Sequence, residues 1–262
     1  MPTQNNYVLG RGRVHFSRFL PNTQTPEGFR YIGNTPEFNL NIESEDLDHY
    51  NSDEGIREKD DSVVLEVNRT GSLITDNIDP QNVALFFFGT HQTVTQALVS
   101  SQTITMESPQ PGRSYKIGAS AQNPTGFFGI DSAGFDVETT VGSTALVAGT
   151  DYEVNLDAGL ITFLDGSALV TGSANIDVTF AVRESTRERV ISGNAAVEGA
   201  MMYETRNPKG AQSMFYMPWI KVMPNGDYAL KGDEWQQIPL QFEILKPDNT
   251  QAIYQDGLPV YQ

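Results

Sequence analysis

Three histidines, 33 acidic residues and no cysteine are the groups from which this 262-residue chain could build chemistry. Without a thiol there is no disulfide, thiolate zinc site, iron–sulfur ligation or cysteine nucleophile. His15, His49 and His91 lie in different segments, and none belongs to a metal-binding spacing such as H-E-x-x-H. Neither a G-x-S-x-G elbow nor a G-x-x-x-x-G-K-[ST] phosphate loop occurs. Gly10-Arg11-Gly12-Arg13 is not followed by a helical pattern, so it does not read as a phosphate cradle. Asp46-Leu47-Asp48 opens like a calcium loop, but Tyr50 and Asn51 fall where a ligand and the obligatory glycine belong. Asn68-Arg69-Thr70 is a glycosylation sequon within a strand pattern, with no secretory leader ahead of it. So many carboxylates guarantee chance pairs, and no pair is singled out for sugar hydrolysis. The expectation is a protein that is not an enzyme and holds neither metal nor cofactor.

The elements that would position these residues are strands. Glu37 to Glu43 alternates strictly, with Phe38, Leu40 and Ile42 on one face and Glu37, Asn39, Asn41 and Glu43 on the other. Ser62 to Thr70 alternates too, with Val63, Leu65 and Val67 opposing Val64, Glu66, Asn68 and Thr70. Residues 7–19, 214–223 and 237–246 also read as strands. One short helix is convincing: Asp79 as N-cap, Pro80 in the first turn, the apolar run Val83 to Phe88, and Gly89 as the stop. Between the two alternating strands lies a polar stretch, Ser44 to Asp61. From Glu43 to Asp61 nine acids face two bases, Arg57 and Lys59. That reads as a long loop kept extended by its own charge.

From about Glu107 to Arg183 the character changes. Glycines punctuate short alternating runs, as in Asp151–Asn155, Leu160–Leu164 and residues 174–182. This reads as a small β unit inserted into a larger domain. The net charge is −16. Such a surface repels nucleic-acid phosphates and anionic lipid, which argues against a sequence-reading DNA-binder. No window approaches the roughly 18 consecutive apolar residues of a membrane span, and no apolar leader opens the chain, so the expected compartment is a cytoplasm with no membrane partner.

Several segments resemble a known family. LGRGRVHFSRF, GFRYIGNTPEFNLNIESEDLDHYNSDEGIREKDDSVVLEVNRTGSLITDNI and VMPNGDYALKGDEWQQIPLQFEILKPD resemble the tail tube (major tail) proteins of long-tailed bacteriophages. GTDYEVNLDAGLITFL is similar to a small β unit found inside some of them. The resemblance implies an all-β fold of two packed antiparallel sheets, sandwich- or barrel-like, with a short flanking helix and an inserted small β-sandwich. It implies homohexameric rings stacked into a tube in the virion tail, made in the host cytoplasm. Partners would be further copies of the chain and the tape measure, tail tip and tail terminator proteins, with double-stranded DNA passing through unbound.

On that footing, residues 1–105 and 185–262 should form the tube domain and 106–184 a peripheral β domain. Glu37, Asn39, Asn41, Glu43, Glu66 and Asn68 should line the lumen. Phe38, Leu40, Ile42, Val63, Leu65 and Val67 should pack inward. The acidic loop, with Asp46, Asp48, Asp53, Glu54, Arg57 and Lys59, should reach the neighbouring ring. Two other readings stay open. One is a carbohydrate-recognising or virion-decorating β-sandwich, for which Phe127, Phe128 and Tyr152 would be exposed. The other is a two-carboxylate glycosidase.

Overall fold

A computed structural model describes residues 6–53 and 55–259. In chain order the elements are β1 (Gly12–Arg18), β2 (Arg30–Tyr31), β3 (Glu37–Asn51), β4 (Glu58–Thr75), α1 (Pro80–Phe86), β5 (Thr90–Gln96), β6 (Val99–Met106), β7 (Ser114–Lys116) and β8 (Ile130–Thr139). They continue with β9 (Tyr152–Asn155), β10 (Leu160–Phe163), β11 (Ile176–Val182), β12 (Ser185–Ile191), β13 (Val197–Thr205), β14 (Ser213–Pro224), β15 (Ile238–Ile244) and β16 (Tyr254–Gly257). The chain is nearly all β, with one short helix among the described residues.

It divides into two compact units, residues 1–92 with 189–262, and residues 93–188. The chain leaves the larger unit and returns to it through paired strands β5 and β12. Strand β6, which the expected boundary at 106 left in the first segment, pairs with β11 in the smaller unit. Its sequence, VSSQTITM, is too polar to mark the change of character that begins after it.

In the larger unit eight strands belong to one antiparallel hydrogen-bonded network, ordered β2-β1-β13-β14-β15-β4-β3, with β16 added to β14. The antiparallel strands and single short helix agree with the expected all-β fold, and hydrogen bonds link the strands of the larger unit into one network. Strand β15 pairs with β14 and β4, not with any strand of the insert. The core gathers alternate residues of neighbouring strands: Val14 and Phe16 from β1, Met217, Ile220 and Val222 from β14, and Leu240 and Phe242 from β15. Period-two alternation maps onto one buried face along β1 and β15, while β14 changes phase between Met217 and Ile220, where its register with β13 shifts. In the smaller unit two three-stranded sheets, β7-β10-β9 and β6-β11-β8, share a second core that includes Ile161, Phe163, Val178 and Phe180. That is the small sandwich the turn spacing suggests.

Helix α1 starts as its sequence dictates. The Asp79 carboxylate accepts the Gln81 amide at 2.8 Å, and Pro80 occupies the first turn, where no backbone donor is needed. Its end differs from expectation. Phe88, not Gly89, takes the left-handed conformation (φ 52°), and the Gly89 amide donates to the Ala84 carbonyl at 2.7 Å. Gly89 is needed for another reason: a Cβ there would run into the Ile191 carbonyl at the end of β12. The helix packs on β14 and β15, burying Leu85.

A second close approach fixes the base of the β3–β4 hairpin. Gly71 lies opposite Leu40, and a Cβ on it would collide with the ring of Phe242. Replacing Gly71 with Ala is expected to destabilise the larger unit by about 1–3 kcal/mol, the usual cost of overpacking a filled site. Chemical denaturation checks this, and an unchanged midpoint would show that Phe242 is free to move aside.

Candidate functional site

The feature that stands apart from the packed units is the β3–β4 hairpin. Its ladder runs from Glu37 opposite Ile74 to Asn51 opposite Glu58, with register shifts after Glu45 and His49. The segment read as a loop, residues 44–61, is therefore mostly paired strand. Its alternation is hidden in the sequence because the two bulges each insert an extra residue and reset the phase. Charge does not prevent pairing, and two of the acids, Asp48 and Asp60, find basic partners. Lys59 Nζ lies 2.5 Å from Asp48 Oδ1, His49 Nδ1 lies 2.5 Å from Asp60 Oδ1, and the Arg57 guanidinium sits 4.3 Å from the centre of the Tyr50 ring. The tip is a short turn in which the Asp53 amide donates to Asn51 Oδ1 at 2.9 Å. Glu54 lies outside the described residues.

Strand β4 pairs with β15 only over Thr70–Thr75. Strand β3 ends the sheet order, so its second edge pairs with no other strand among the described residues. From Ile42 and Arg69 outward the hairpin is a bare two-stranded ribbon, about 30 Å long at the usual rise per residue. Side chains of directly opposed residues share a face. One face carries all six polar residues expected on the wall: Glu37, Asn39 and Asn41 on β3, then Glu43 opposite Asn68, and Glu66 opposite Glu45. All are exposed, and the Asn41 amide donates to Glu43 Oε1 at 2.7 Å.

The other face corrects the expectation of an inward-packed apolar set. Phe38 alone of the six packs on the core, stacked on Phe242 at a centroid distance of 5.7 Å. Leu40, Ile42, Leu65 and Val67 reach solvent, Ile42 at 60% and Leu65 at 61% of full exposure. They run past the last strand that could cover them. The bulge also moves Val63 off this face, because Val63 pairs with Leu47 and Val64 takes the place opposite Asp46. Sequence alternation assigned Val63 and Val64 to the wrong faces and passed over Leu47. A two-stranded ribbon with one apolar face and an open edge can extend a sheet or cover an apolar surface.

Elsewhere the described residues hold no cluster of three or more His, Asp or Glu able to bind a metal, and no helix is long and apolar enough to cross a membrane. His15 lies against Tyr31, and His91 lines a cleft with Arg18 and Arg30, two residues that no motif marked. Of the aromatics named for a sugar platform, Tyr152 is buried, Phe127 packs on Phe180, and Phe128 is covered by Lys116 and Arg187. Trp235, 92% exposed on the segment between β14 and β15, was also missed.

The profile of a protein family described as "Protein of unknown function UCP028589" matches residues 7–255, and the chain belongs to that family. No curated protein matches the sequence.

The Asp48–Lys59 pair gives the outer ribbon a pH window. Hydrogen bonding to Lys59, and then to Ser62, holds the Asp48 carboxyl below its ordinary value, while the hydrogen bond to Asp48 raises Lys59. A depressed carboxylate stabilises above its unfolded pKa of about 3.9 and loses that contribution as pH falls through the folded value. A raised lysine stabilises below about 10.4 and loses its contribution as pH rises through the folded value. Amide exchange of residues 46–62 should therefore be slowest, relative to the intrinsic rate, between these limits. Asp48→Asn should flatten the acid limb, and a profile identical to wild type would show that the pair does not order the ribbon.

Proposed function

We propose that this protein is a tail tube subunit of a long-tailed bacteriophage, a structural component that assembles into stacked hexameric rings. The observation that carries the reading is the β3–β4 ribbon. An isolated two-stranded ribbon is marginal in water, and an exposed apolar stripe beside an unpaired edge is a site for another chain. A second copy supplies both missing partners at once: strands to pair the edge and apolar surface to cover Ile42, Leu65 and Val67. Ring closure uses up such edges in every subunit and so limits uncontrolled growth.

The opposite face suits a DNA conduit. Glu37, Glu43, Glu45 and Glu66 project from it without an intervening cation. A cationic wall would hold phosphates by releasing their counterions, whereas an acidic wall lets the duplex slide. The resemblance of the flanking segments to tail tube proteins supplies the specific assignment, and the ribbon supplies a physical reason for assembly. The insert is a self-contained sandwich outside this scheme.

Electron microscopy of the purified protein tests the reading, with rings or tubes as the expected result. Ile42→Asp combined with Leu65→Asp should leave the unfolding midpoint within about 0.5 kcal/mol of wild type, since both positions are exposed, yet abolish assembly. Normal tubes from that variant would remove the ribbon from the assembly scheme. Glu37→Lys, Glu43→Lys and Glu66→Lys together should leave tubes intact but make them retain DNA at low salt and release it as salt rises. Tubes of that variant that ignore DNA would count against a lumenal position for this face.

A further inference from the structure

The larger unit contains a cationic cleft unrelated to the ribbon. Phe16 on β1 pairs with Arg30 on β2, so Arg30 emerges on the same face as Phe16 and, two residues along β1, Arg18. The cleft is lined by the buried Phe16, by Gln81 and Ala84 of α1, by Thr90 and His91 of β5, and by Glu27 and Gly28. The cleft is open to solvent and has a volume of about 350 Å³, room for one oxyanion with its waters or for an acidic side chain. Arg18 donates to the Gly89 carbonyl at 2.8 Å, which anchors the head group, and its other side-chain donors make no hydrogen bond among the described residues. The Arg30 guanidinium makes no hydrogen bond or ion pair among the described residues, and neither arginine reaches a carboxylate within ion-pair distance.

This arrangement costs free energy as it stands. Two guanidiniums are partly withdrawn from water in the same cleft. Burial lowers the pKa of both, the charge of Arg18 lowers Arg30 further, and Glu27 and Asp79 act in the opposite sense from a distance. Asp79 is already committed to capping the helix. Desolvated charges are normally paired. The planar donor forks of arginine match carboxylate and phosphate, and an anion gripped by two of them gains charge-assisted bonds from both.

We propose that the cleft between Arg18 and Arg30 is an oxyanion site for a carboxylate or phosphate group. Two sources share this chemistry: free inorganic phosphate, and an acidic side chain of a second copy of the chain. The second source rests on the self-assembly proposed above; the site itself does not.

The test uses the full chain at a concentration where it is unassembled. Inorganic phosphate is titrated in by calorimetry against chloride at equal ionic strength, then acetate likewise. Wild type should bind, and Arg30→Gln should weaken binding by about tenfold or more, the loss expected for one charged hydrogen-bond partner. Arg30→Lys, which keeps the charge but not the fork, should fall between them. Unfolding midpoints confirm that each variant is folded. If a second copy supplies the group, phosphate should also inhibit assembly of wild type, and Arg30→Gln should assemble less well without phosphate. Binding of neither anion, together with unaltered assembly of Arg30→Gln, would overturn the site while leaving the tube reading intact. Phosphate binding by a chain that never assembles would establish the site and sink the tube reading instead.

Discussion

Among the described residues, the hydrogen-bond ladder between Thr70–Thr75 and Ile238–Glu243 is the only strand pairing that joins the β3–β4 hairpin to the rest of the sheet. Strand β4 continues for a dozen residues beyond that grip, with β3 beside it and no third strand. Everything at the base therefore has to be stiff. Phe38 stacks between Tyr203 and Phe242, Leu73 is buried, and Gly71 lets the Phe242 ring approach the backbone. A strand anchored so tightly at one end and bare at the other keeps its direction without help from its outer half. That property suits an element meant to meet something outside its own unit.

The charge distribution follows the same division. A chain of net charge −16 places four carboxylates on one face of the ribbon and pairs Asp48 with Lys59 and Asp60 with His49. At the tip, opposite charges stabilise a shape. On the polar face, like charges are tolerated because water screens them. In the Arg18–Arg30 cleft both remedies are weaker, because the guanidiniums are partly withdrawn from water and Glu27 and Asp79 act only from a distance.

What could be read in the sequence was local periodicity with an intact phase. Glu37 to Glu43 alternates without interruption, and its polar face is where alternation puts it. Asp79 and Pro80 announce the helix by chemistry that needs no tertiary context. The outer hairpin was illegible because Leu65 and Asp60 are bulged, so residues on either side of them change faces without any change in composition. The dense acids also imitate a solvated loop when their partners, Lys59 and Ser62, are distant in sequence. Phe88 gives no sign that it is left-handed, since the pressure comes from the close packing of Gly89 against β12. Arg18 and Arg30 become neighbours only through strand pairing, and no spacing rule joins them. The exposure of Ile42 and Leu65 was misjudged for a related reason: alternation says which side a residue faces, not whether anything lies on that side.

The paired strands β5 and β12 carry a consequence for how such a chain can change over time. The main chain enters and leaves the smaller unit on two neighbouring strands, whose backbones lie about 5 Å apart at the usual strand spacing. To the larger unit, the whole of the smaller one is equivalent to the turn of a hairpin. Recombination could exchange this cargo for another domain with neighbouring termini, or for a tight turn, without altering a single core residue of the host. A lineage could thus diversify the inserted unit while the scaffold stays under constant selection.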